Sequence, residues 1–282
     1  MVMEIVRALQ LIDNIETEMA SSIDGRFFHP DVFATLDNVN ASRKDIELIR
    51  NKISDEIWLR LQGIASSVYF GSLRRGDVSS FHDVVTRLGM YQTKAMIITL
   101  ALYHYGGNEK DVEIIFARCY ATSVMAHILA IQMGFTEEVA WRAELGGLLL
   151  EIGKKMMVVY KKTSDHKSEE IDDDFIESYH PYLGDRIIKR YSLPDYLGSI
   201  ILARQVILEE NIISLPGVVY LAYDTICTSF DKYDNRLVIK CQTPMPTTDV
   251  SRTLEAIIQD KFRAVGLEQY LHIFRIPRIY HL

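Results

Sequence analysis

Apolar residues recur at three- and four-residue intervals along almost the whole chain, and alternating strand-like runs are scarce. The best candidate strand is the short Leu237-Val238-Ile239. Helix starts are well marked. Ser80-Phe81-His82-Asp83 predicts a capping box, in which hydroxyl and carboxylate satisfy free amides of the first turn, ahead of a helix that buries Val84, Val85 and Leu88. Thr136 followed by Glu137 and Glu138 predicts another start, with acids set against the positive end of the helix dipole. Pro181, Pro194 and Pro216 each read as first-turn prolines, where no amide donor is needed. Breaks are expected at residues 106–108, 163–174 and 243–248, the last because Pro244 and Pro246 exclude a helix interior. The pattern predicts an all-α protein: an N-terminal helical bundle over residues 1–105, packed on a second helical part over 106–282.

Composition narrows the function classes. The chain has 282 residues, 48% hydrophobic and 24% charged, ample for a large core. A net charge of −7 argues against non-specific nucleic-acid binding, which leaves a basic footprint. The aromatics fall at core-like spacing; the best basic–aromatic cluster, Arg74-Arg75 beside Tyr69-Phe70-Gly71, reads as a solvated turn. Apolar runs such as 95–103 and 156–160 are shorter than the roughly 18 residues that span a bilayer, and the first residues, Met-Val-Met-Glu-Ile-Val-Arg, lack the apolar core of a leader. The expectation is a cytoplasmic protein with no membrane partner. Cys119, Cys227 and Cys241 are widely separated and form no CxxC pair, which predicts reduced thiols rather than a zinc site or a disulfide framework.

Motifs that carry chemistry are few. There is no P-loop, dinucleotide fingerprint or G-x-S-x-G elbow. Gly146-Gly147 lies inside a helical pattern and predicts close helix packing rather than phosphate binding. Glu177-Ser178-Tyr179-His180 puts a carboxylate and an imidazole on one helical face, but bridged di-metal sites need two such motifs. With Pro181 next to it, His180 is expected at a helix start as a capping or packing residue. The acids between 165 and 174 lack the glycine and final Glu of a calcium loop and predict a solvated loop leading into an acidic helix start.

Residues 144–160 read as a helix similar to the one that carries the His-Asp metal pair in HD-type phosphohydrolases, a hydrophobic run ending in His-Asp-Ile-Gly-Lys. Here Leu150 and Glu151, or Glu151 and Ile152 with a one-residue slip, occupy the pair. Other segments flank it in order: Ser66-Ser67-Val68-Tyr69-Phe70-Gly71, Val78-Ser79-Ser80 and 84–89 before it, and Tyr179-His180-Pro181-Tyr182-Leu183-Gly184 followed by Tyr191-Ser192-Leu193-Pro194 after it. Together they resemble the HDOD domain, the HD-related output domain of bacterial signalling proteins, over about residues 10–210. Ser66 stands where the family has Asn, Tyr191 where it has Trp, and Arg204-Gln205 where many members carry His-His. The resemblance places the first metal-ligating His near Arg118, and a guanidinium cannot coordinate a metal.

The resemblance implies an N-terminal bundle packed on an HD-like bundle, and a role in signal output or protein interaction. The expected function is that of a non-catalytic regulatory module, without cofactor, that binds a regulatory protein partner. Arg118, Glu151 and His180 are then remnants of the pocket. Residues 206–282 are expected as added helical structure, including a capped helix over 249–264, that completes the second bundle or forms a homodimer contact. The apolar tail with Ile276, Pro277, Ile279 and Tyr280 is expected to dock on the chain's own core or on the partner. Two rival functions stand beside this one. A divergent phosphohydrolase would hold a divalent metal through Glu151 and His180, with His127 or Glu144. A nucleotide sensor would grip an anion with Arg118 and Arg204.

Overall fold

The structure, a computed structural model, describes residues 2–23, 27, 29, 31–66, 78–105, 110–163, 171–203, 208–209, 212–228, 236–238, 259, 262–263, 268 and 278–280. Helices dominate, as the apolar periodicity predicts. In order they are α1 (Val2–Ile23), α2 (Asp31–Leu36), α3 (Arg43–Leu48), α4 (Asp55–Ser66), α5 (Phe81–Leu88) and α6 (Met90–His104). Then come α7 (Lys110–Gln132), α8 (Glu137–Leu149), α9 (Ile152–Thr163), α10 (Asp173–Arg190), α11 (Asp195–Leu202) and α12 (Leu215–Thr228). A 3-10 turn, Ile49–Lys52, follows α3. Two minimal strand pairs complete the described structure: β1 (Leu208–Glu209) runs antiparallel to β2 (Ile212–Ile213), and β3 (Arg236–Val238) parallel to β4 (Arg278–Tyr280). The expected strand at 237–239 is thus real but displaced by one residue, and the tail pairs with its own chain through β4.

Local chemistry explains the helix ends. Ser80 caps α5 in a full capping box with Asp83, and Val84, Val85 and Leu88 are buried as expected. Thr136 caps α8, and Asp172 caps α10 ahead of Asp173 and Asp174. Pro216 falls in the first turn of α12, and Pro194 is the N-cap of α11. Pro181 departs from expectation: it lies inside α10, which continues through it. A proline there removes one ladder bond and costs about 3 kcal/mol. Burial of its ring and the packing of both halves of α10 on the core offset that cost.

One buried apolar cluster runs from Leu11 of α1 to Phe262, so the N-terminal helices and the second bundle share a core. Helices α6 and α7 are its axis and are buried nearly all round. Helix α7 is long and apolar enough to cross a membrane, contrary to the estimate from shorter runs, yet 78% of its apolar window is buried inside the bundle. That is the property of a core helix. Arg186 of α10 ties α1 down through Asp13 and through Glu16, 2.6 Å from its Nε.

Two glycines set how closely the second bundle packs. A Cβ at Gly147 would stand 2.8 Å from the Ser123 backbone, so α7 and α8 cross in near backbone contact. A Cβ at Gly153 would overlap the His180 carbonyl oxygen, which brings α9 against the middle of α10. The first confirms close packing as the use of Gly146-Gly147; the second positions the residues described next.

Candidate functional site

Residues 144–160 are not one continuous helix. The ladder tightens at its end, with the Leu150 N–H donating to the Gly147 carbonyl at 3.4 Å, and α9 begins only at Ile152. Glu151 therefore sits at a joint between α8 and α9 and points into the protein, 1% exposed. Arg118 reaches it from α7. Its Nε donates to Glu151 Oε2 at 2.6 Å and its Nη2 to Oε1 at 2.7 Å, a bidentate pair. Tyr223 of α12 donates its hydroxyl to Oε1 at 2.9 Å, and its ring lies 5.9 Å from the Arg118 guanidinium. The Cys119 thiol is 3.9 Å from Oε2.

Around this pair the electrostatics are strongly shaped. Burial alone would lower the Arg118 pKa, but the facing carboxylate holds it above its ordinary value. Burial and then the Glu151 charge push the Cys119 thiol up to about 12, and the same two causes raise the Tyr223 hydroxyl. Both groups therefore stay neutral donors around the Arg118–Glu151 ion pair.

The cluster continues to the surface. Lys154 Nζ stands 3.7 Å from Glu151 Oε1 and pairs with Glu177 of α10. Glu177 has its pKa lowered: burial opposes this, but the Lys154 hydrogen bond and the charges of Lys154, His180 and Arg118 outweigh it. His180 is thus brought beside Glu177 on one face, as the E-x-x-H spacing requires. It lies mid-helix rather than at a helix start, because Pro181 does not begin α10. Arg118, Glu151 and His180 converge on one region. His127 and Glu144 do not join them: they meet each other across α7 and α8, Nδ1 to Oε2 at 2.9 Å, with Trp141 edge-on to the imidazole. Arg204 lies outside the described residues, as do the Arg74-Arg75 cluster and most of the expected 249–264 helix. Phe262 is described, and it is buried against Tyr120 at 5.6 Å.

Sequence reasoning missed Tyr223 and Lys154. Lys154 was visible as the lysine of Ile-Gly-Lys. Tyr223 is 72 residues from its partner Glu151, and nothing local marks it.

The divalent metal that an HD-type pocket holds does not fit this donor set. Both Glu151 oxygens accept hydrogen bonds from Arg118, whose fixed charge already compensates the carboxylate. Among the described residues no group of three or more His, Cys, Asp or Glu side chains converges closely enough to hold a metal ion.

Comparison with known proteins gives a consistent picture. A family model described as the HDOD domain matches residues 29–206. No curated protein matches the chain. Among solved structures, a candidate phosphohydrolase from Shewanella amazonensis SB2B is 16% identical with a TM-score of 0.52, covering 94% of this chain and 97% of its own. A candidate metal-dependent phosphohydrolase from the same organism is 12% identical with a TM-score of 0.54, covering 93% and 98%. At such identities the likeness is one of fold.

Proposed function

The chain belongs to the HDOD domain family, and from that premise we propose that it is a non-catalytic regulatory module that acts by binding another protein. The observation that carries this reading is the bidentate Arg118–Glu151 pair with Tyr223 hydrogen-bonded to the same carboxylate. An HD-type hydrolase needs a metal at this place to lower the pKa of a bound water and clamp a phosphoryl group. Here the carboxylate is saturated by donors and the cation is part of the chain. What is retained is shape: a rigid helical frame around a closed centre, suited to presenting a surface rather than to turnover. The nucleotide-sensing alternative gains nothing from Arg118, whose Nε and Nη2 already face Glu151.

Metal content of the protein purified without chelator, together with phosphodiesterase and phosphatase assays in added manganese, tests the reading. The expected result is substoichiometric metal and no turnover above background. Stoichiometric metal with turnover that falls in His180→Ala would restore a divergent metal-dependent phosphohydrolase. The partner half of the reading is tested by size-exclusion chromatography with light scattering of the protein bound to whatever it captures at defined stoichiometry. A protein that stays alone, or binds only copies of itself, would remove that half.

A further inference from the structure

A second half-buried arginine shares Tyr103 as a neighbour with the Arg118 centre. Arg60 of α4 faces a small recess walled by Tyr103 and His104 of α6 and by Val112, Glu113 and Phe116 of α7. The recess thus opens at the seam between the N-terminal helices and the HD-like bundle. Its polar lining is unusual in what it leaves unmet. Among the described residues the Arg60 guanidinium makes no hydrogen bond or ion pair; it lies over the Phe116 ring at 5.5 Å. Among the described residues His104 Nε2, a buried atom, has no hydrogen-bond partner. Behind them Lys155 is fully buried, its Nζ donating to the Leu102 carbonyl and lying 4.7 Å from the centre of the Tyr103 ring. Three nitrogen-bearing side chains thus gather where Glu113 is the one acid in the wall.

Buried polar atoms without partners cost free energy, and in native proteins such groups mark a bound water or ion. A neutral water satisfies a donor and partly solvates the guanidinium but supplies no counter-charge, whereas an anion supplies both. We infer that this recess is a binding site for a small monovalent anion, held between the Arg60 guanidinium and the Nε2–H of His104. Glu113 offsets part of the Arg60 charge, so the site favours a halide over a phosphate dianion. Burial and the Arg60 charge depress His104, with Glu56 opposing and Lys155 adding to the effect; an anion between the two rings of donors reverses that depression.

The test uses the whole chain in gluconate buffer, an anion too large for the recess, titrated with sodium bromide at constant ionic strength. The His104 ring resonances should move saturably, and the His104 pKa should rise. Crystals soaked in bromide should show an anomalous peak between Arg60 and His104, a readout that requires no variant. Arg60→Met should abolish the saturable shift, and Glu113→Gln should tighten it several-fold. If Arg60→Met does not fold, His104→Phe tests the second donor through the anomalous peak, which should be lost in bromide-soaked crystals of that variant. A resonance shift that follows ionic strength alone, an anomalous map empty at the recess, or a response unchanged in Arg60→Met would each overturn the inference.

Discussion

Arg118 and Arg60 are each half-buried, and both stand near the packed Tyr103 and Phe116 rings, whose centres are 4.3 Å apart. Their fates are opposite. Desolvation pushes both pKa values down, but Arg118 ends above its ordinary value because Glu151 grips it directly, and Arg60 ends below because Glu113 acts only from a distance. The sign is decided by the partner, not by depth. One site is closed by its own chain; the other is left open to something else.

The sharpest way to break this contrast is to remove one member of the closed pair. Glu151→Leu leaves a guanidinium buried and unpaired and should destabilise the fold by about 3–5 kcal/mol in a denaturant melt. Adding Arg118→Met should recover most of that loss, because an apolar pair of similar volume needs no mutual compensation. Arg60→Met, by contrast, should be neutral or stabilising, since it breaks no hydrogen bond. A Glu151→Leu cost no larger than the Arg60→Met effect would erase the distinction between the two sites.

A smaller effect sits between them. Lys155 is fully buried, and burial followed by the Arg60 charge lowers its pKa well below that of a free lysine. The unfolded chain then binds more protons than the folded one over the interval between the folded pKa and the ordinary lysine value, so stability rises with pH through that interval. The cost is in full force below the folded pKa and vanishes above the unfolded one. Lys155→Met should therefore stabilise the protein at neutral pH by about 1–2 kcal/mol and flatten the alkaline rise in stability. Denaturant melts at several pH values check both; a slope unchanged in the variant would place the titration elsewhere.

How much of this was legible follows from the range of each interaction. The caps at Ser80 and Thr136 were readable because donor and acceptor lie three residues apart. Gly146-Gly147 was readable as close packing because glycine in a helical pattern has few other uses. Pro181 was misread because its local penalty is real, and only burial across the fold outweighs it. The break at Leu150 and Glu151 was missed for a related reason: the run is apolar enough to continue, and its end is set by where Glu151 must point. The region of the candidate site could be placed through the HD-like motif, but its chemistry could not. Arg118 meets Glu151 across 33 residues, and Arg60 meets Phe116 and Glu113 across more than fifty, with no spacing rule to connect them.

The finest distinction between the two sites lies on the acid side. His104 is half-buried at the open recess, where burial, then Arg60, hold its pKa at about 4 against an ordinary 6.5. Between those values the unfolded chain carries the extra proton, so stability falls as pH drops from 6.5 toward 4 and levels off below. Because the ring is partly solvated, the loss should be about 1 kcal/mol rather than the full equivalent of the shift. His104→Gln should remove this limb while leaving the neutral plateau in place. Bromide should shrink it in the wild type by raising the folded pKa, and should do nothing in Arg60→Met. The Arg118 centre has no such dependence on added salt, since its counter-charge is covalently part of the chain. Melts across pH 4 to 7 in gluconate and in bromide separate the two directly: an acid limb insensitive to bromide means that the recess, like the Arg118 centre, is closed.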